Sequence, residues 1–70
     1  MSSLIQLYNQ YEQSIVIQSQ VIESYKEKLK KARIQKNPTE IERLQRLLKI
    51  LTDEKHELQS ASIEMRRYLS

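Results

Sequence analysis

Apolar residues recur every three or four positions along nearly the whole chain, and a single proline interrupts the pattern. That spacing gathers apolar side chains on one stripe of an α-helix. With Leu4 placed at d of a heptad, the a positions before the proline are Tyr8, Ile15, Ile22 and Leu29, and the d positions are Leu4, Tyr11, Gln18, Tyr25 and Ala32. After it, Ile41, Leu48, Lys55, Ser62 and Leu69 fall at a, and Leu44, Leu51, Leu58 and Met65 fall at d. With Tyr11, Gln18, Lys55 and Ser62 set aside, the other fourteen of the eighteen are Leu, Ile, Met, Ala or Tyr. This density marks a coiled-coil seam, not merely a broad amphipathic face. Residues 14–19 carry some β propensity. They form one short segment inside a longer helical period, so helix prevails.

Pro38 punctuates the chain near its midpoint, in Asn37-Pro38-Thr39-Glu40. Asn is a good N-cap, Pro suits the first helical position, and Glu three residues after the cap can close a capping box. The pattern predicts one helix over about residues 3–35, a turn at about 36–38 and a second helix over about 38–69. Each helix is then about 48 Å long at 1.5 Å per residue. The expected unit is a single all-α helical hairpin covering residues 1–70.

The two seams fit each other when the chain folds back at Asn37-Pro38. Leu4/Leu69, Tyr8/Met65, Tyr11/Ser62, Ile15/Leu58, Gln18/Lys55, Ile22/Leu51, Tyr25/Leu48, Leu29/Leu44 and Ala32/Ile41 are pairs whose numbers all add to 73. Each couples an a position with a d position, as antiparallel layers do. The exceptions also meet: polar Gln18 falls opposite Lys55, and bulky Tyr11 opposite small Ser62. A polar layer can fix register, while Lys55 can also lay its methylenes across the seam and send its ammonium, with Glu54 beside it, to solvent.

The hairpin has two unequal flanks. The g positions are Leu7, Ser14, Val21 and Lys28 in the first helix, and Leu47, Glu54, Ala61 and Tyr68 in the second. The e positions are Ile5, Glu12, Ser19, Lys26 and Arg33, then Gln45, Thr52, Gln59 and Arg66. The g side is therefore expected to be apolar, widened by Ile17 and Ile50 at c, and the e side polar. The expected oligomer interface is Leu7, Ile17, Val21, Leu47, Ile50, Ala61 and Tyr68. Its simplest completion is a second copy, giving a dimeric four-helix bundle. The helices of another protein filling the same groove are the alternative.

Composition sharpens this picture by exclusion. Seventy residues allow one domain whose lone core leaves only a few kcal/mol of stability, so association is expected. Leu and Ile together number seventeen, which argues against disorder. No glycine means no phosphate-cradling loop of the glycine-rich kind, and no cysteine means no disulfide and no thiolate metal site. The longest apolar run, Ile15-Val16-Ile17, is far below the ~20 residues of a membrane span. The first residues lack the basic and apolar regions of a signal peptide. An intracellular, cytoplasmic chain is expected, with no membrane partner.

The net charge of +3 is unevenly placed. Residues 26–49 hold nine cations against Glu27, Glu40 and Glu42, a balance of +6, while residues 1–25 carry −2 and residues 50–70 carry −1. The turn end of the hairpin is thus basic. Cations in the last turn of one helix and acids in the first turn of the next favour the macrodipole, which alone accounts for part of the pattern. A functional alternative is an anionic partner at Lys30, Lys31, Arg33, Lys36, Arg43 and Arg46. In architecture alone such a molecule resembles the RNA-binding four-helix bundles of the Rop kind; no residue motif carries over. No aromatic residue lies between Tyr25 and Tyr68 to stack a base, so binding there would be dominated by phosphate and salt-sensitive.

Catalytic chemistry finds no foothold in the pattern. His56 is the sole histidine and sits at a solvent-facing b position, without a second histidine at zinc spacing. Carboxylate pairs such as Glu40/Glu42 and Glu54/Glu57 lie on helix surface with nothing to exclude water. The tyrosines belong to the seam and flank. The expectation is a non-enzymatic interaction or scaffolding module with no cofactor, metal or small-molecule substrate, and a nucleic-acid-binding regulator is the alternative.

Overall fold

In the computed structural model, which describes residues 3–70, the chain forms two helices, α1 (Ser3–Ile34) and α2 (Pro38–Leu69). Met1 and Ser2 of the expected 1–70 unit lie outside the described residues. The helices pack against each other as a hairpin about 52 Å long and 14 Å across. The first helix ends one residue before the predicted boundary, and the second has the predicted limits.

Burial follows the heptad. Every buried residue occupies an a or d position: Ile22, Leu29, Ala32, Leu44 and Ser62. Every half-buried residue described falls at a, d, e or g. The tightest packing lies beside the turn, where Leu29, Ala32 and Leu44 form a cluster supported by Tyr25, Ile41 and Leu48. These six side chains are the Tyr25/Leu48, Leu29/Leu44 and Ala32/Ile41 layers of the paired seams. The Lys28 ammonium lies 4.8 Å from the centre of the Tyr25 ring and covers its edge of the cluster. The last layer at the open end is the one that opens to solvent. Leu44 is 0% exposed, whereas Leu4 and Leu69 at the open end are each 38% exposed.

The turn is compact because one residue serves both helices. The Lys36 N–H donates to the Arg33 carbonyl and the Asn37 N–H to the Ala32 carbonyl, each at 3.1 Å. These two bonds are a Schellman closure of α1. That closure needs a left-handed residue at its penultimate position, normally glycine. The chain has no glycine, and Lys36 takes the conformation with φ 55°. Asn37 then returns to extended geometry and caps α2, its side-chain oxygen accepting the Glu40 N–H at 3.3 Å. Pro38 occupies the first turn, where a missing N–H costs nothing.

The capping box forms only by half. Its reciprocal bond would run from the Asn37 N–H to the Glu40 carboxylate, but that N–H is already committed to Ala32. Glu40 turns instead to Arg43, which donates to it through both Nε and a terminal guanidinium nitrogen. This hydrogen bond to the guanidinium is the largest cause holding the Glu40 carboxyl below its usual range, desolvation opposing it.

The polar seam layers also resolve. The Gln18 side-chain amide donates to the Leu51 carbonyl at 3.1 Å. A helix carbonyl points toward the residue four positions on, so Gln18 reaches α2 at the height of Lys55, its expected partner. Lys55 itself is half-buried and forms no ion pair with Glu54 or any other described residue. Half-burial without an ion pair is what a lysine laid along the seam with its ammonium in water gives. Ser62 is 2% exposed, and its hydroxyl donates to a Glu12 carboxylate oxygen at 2.5 Å.

The left-handed lysine is a local strain of about 1–2 kcal/mol, partly offset on replacement by the greater freedom of glycine in the unfolded chain. Lys36→Gly is expected to stabilise the hairpin by about 0.5–1 kcal/mol, and Lys36→Ala, which removes the charge but keeps Cβ, to bring no gain. Asn37→Ala is expected to cost about 1 kcal/mol, while Asn37→Asp keeps the cap. Chemical denaturation midpoints of the four variants check all of these. Replacing both Gln18 and Lys55 by Leu should raise the midpoint, with a gain in unfolding free energy of about 1–2 kcal/mol for two half-buried apolar side chains. A fall in midpoint for that pair would show that the Gln18–Leu51 bond outweighs apolar burial.

Candidate functional site

Two surfaces stand out on the folded hairpin: a row of uncovered apolar side chains and a cationic tip. On the g side the expected interface residues divide into two groups. Val21, Leu47 and Ala61 are half-buried, because g positions lean against the seam. Leu7, Ile17, Ile50 and Tyr68 are 40%, 60%, 55% and 82% exposed. In the middle of this flank Ala61 lines a shallow groove with Tyr11, Gln18, Glu54, Glu57 and Leu58. The small alanine leaves the hollow.

The opposite flank is less polar than the e positions predict. Ile5 at e, with Val16 and Ile63 at b, is 50% exposed, and the latter two are 57% and 47% exposed. The b row borders the e row, so counting e positions alone overlooks these side chains. They accompany a polar cluster between the helices. Glu12 and Ser62 meet there, and Ile15, Gln59, Ile63 and Arg66 complete an open groove of about 460 Å³. The neighbouring Tyr8 hydroxyl is the largest influence on Arg66 and raises its pKa further above the ordinary arginine range, with Glu12 adding a smaller pull. Ser62 reads from the pattern only as a small residue opposite Tyr11. An acid at e beside a hydroxyl on the facing seam is the signal for the link it makes.

At the turn end, the six candidate anion-binding residues are exposed but not equivalent. Arg43 is paired with Glu40 and Arg46 with Glu42, both within α2. Arg43 and Arg46 share a shallow groove with Thr39, Glu42 and Leu47, so an acid stands among the cations. Lys30, Lys31, Arg33 and Lys36 form no ion pair among the described residues. These four occupy b, c and e positions and the turn, so the structure gathers them at one end of the molecule without aligning them on one face. Exposed pairs such as Arg46–Glu42 contribute little to stability and yield readily to a competing anion.

The remaining chemistry is sparse. His56 is exposed, as are Glu54 and Glu57. Among the described residues no group of three His, Cys, Asp or Glu side chains is arranged to hold a metal ion. No described helix is long and apolar enough to cross a membrane. No buried side-chain polar atom among the described residues lacks a partner. The chain matches no protein family, no curated protein and no solved structure.

Proposed function

We propose that the chain is a non-enzymatic protein–protein interaction module that self-associates through its g and c flank into a dimeric four-helix bundle, and so serves as a scaffold. The support is the exposed row of Leu7, Ile17, Ile50 and Tyr68 beside the half-buried Val21, Leu47 and Ala61. Large exposed apolar side chains gathered on one flank mark a contact site. The hairpin alone buries only a handful of side chains fully, and a second layer of helices would complete its core. A flank 52 Å long and 14 Å wide offers on the order of 700 Å², close to the ~800 Å² per partner of a standard stable interface.

A second function finds support in the four tip cations that lack ion pairs: binding of nucleic acid through phosphates by the turn end. The two surfaces adjoin where Leu47 lines a groove with Arg43 and Arg46, while Lys30, Arg33 and Lys36 lie off the g and c flank.

Analytical ultracentrifugation of the purified chain at micromolar concentration should give twice the chain mass, and Ile17→Glu with Ile50→Glu should give helical monomers of lower stability. A folded monomer of the unaltered chain would sink the dimer. A mobility-shift titration with duplex and single-stranded RNA and DNA tests the tip. If the tip binds, retardation should fall steeply with salt, and should vanish when Lys30, Lys31, Arg43 and Arg46 are changed to Glu. Retardation that persists in those variants would place binding elsewhere.

A further inference from the structure

We infer that the two hairpins of the dimer lie antiparallel, with the basic turn of each copy over the open end of the other and the two cationic tips at opposite ends of the bundle. This inference rests on the proposed self-association through the g and c flank and concerns how the second copy is oriented there. A two-fold axis can join two such flanks in two ways. One runs along the hairpin and puts turn on turn. The other crosses it and puts turn on open end.

Charge separates the two. Residues 26–49 carry +6, and the flanking stretches that make up the open end carry −2 and −1. Turn-on-turn packing sets +6 beside +6 at helix-packing distance, about 10 Å, where screening at physiological salt is incomplete. The crossed arrangement sets each basic turn beside the acidic end of its partner. It also separates the two tips by roughly 50 Å, far beyond the screening length.

Side-chain volume points the same way. In the hairpin the g residues form four levels: Leu7 with Tyr68, Ser14 with Ala61, Val21 with Glu54, and Lys28 with Leu47. Turn-on-turn packing stacks each level on itself. Small Ser14 and Ala61 then face each other across the interface from both sides and leave a void, while Val21 faces Glu54 and Lys28 faces Leu47. The crossed arrangement reverses the order. Leu7 and Tyr68 meet the partner level of Lys28 and Leu47, and Ser14 and Ala61 meet that of Val21 and Glu54. Large then lies on small at the centre, as close packing requires. Leu47 then covers Tyr68, which is 82% exposed in the single hairpin. In that register Ile17, 60% exposed, lies beside the two-fold axis and meets its own copy across α1.

The chain has no cysteine, so single-cysteine probes report unambiguously. A spin label on Gln35→Cys, an exposed turn residue, should give a label-to-label distance of about 50–55 Å by pulsed dipolar spectroscopy, from 1.5 Å per residue along each helix. Ile17→Cys should form an intermolecular disulfide under mild oxidation, since Cα atoms flanking the axis can approach within ~7 Å. A Gln35 distance of about 20 Å or less, with no Ile17 cross-link, overturns the antiparallel arrangement and leaves self-association standing. Monomeric sedimentation of the labelled and unlabelled chains, with no dipolar coupling, overturns both.

Discussion

Two hydrogen bonds on one asparagine hold the fold in its register. The Asn37 main-chain N–H reaches back to Ala32 and its side-chain oxygen reaches forward to Glu40, so the same residue ends α1 and begins α2. No spare residue intervenes that could let one helix slide or rotate against the other. The pairing of a with d positions at every level follows from this fixed crossing point. Shifting α2 by one residue would rotate its seam by about 100° and turn Leu44 out of the core. Lys36 accepts a left-handed conformation because the closure requires it there, and the chain offers no glycine to take it.

From that anchor the rest of the molecule divides by distance. Close to the turn the seam excludes solvent with Leu29, Ala32 and Leu44. Farther out, polar groups take over part of the contact through Gln18 with Leu51 and Glu12 with Ser62. These bonds are directional, so they specify which residues meet where apolar packing is looser. The flanks inherit the same geometry. Each g and e residue sits at a height and angle fixed by the seam, which brings Leu7, Ile17, Ile50 and Tyr68, scattered along the chain, to one flank.

Much of this was legible in the heptad and in Asn37-Pro38. Period and breaker together define two helices and a turn, and burial falls on the a and d positions that the period names. The half-formed capping box was not legible, because Asn37-Pro38-Thr39-Glu40 says nothing of the competing Ala32 carbonyl five residues back. Nor was the Glu12–Ser62 link, since a heptad letter gives direction but not the reach of a side chain. The apolar character of Val16 and Ile63 escaped a reading that set c beside the g row but left out b beside the e row. At the tip, charge was visible as composition, but the pairing of Arg43 and Arg46 with acids depends on rotamers that a pattern does not contain.

The position of the apolar cluster beside the turn also gives the folding reaction a direction. Bringing Ala32 to Ile41 closes a loop of under ten residues, whereas bringing Leu4 to Leu69 directly closes one about seven times longer, an extra entropy cost of about 2 kcal/mol. The cheapest first contact is therefore also the best-packed one, and each layer formed shortens the loop for the next. On that ground helix pairing is expected to advance from Asn37 outward in the manner of a zipper. Changes at the turn act mainly on how fast the chain folds, and changes near Tyr8 and Met65 mainly on how fast it comes apart.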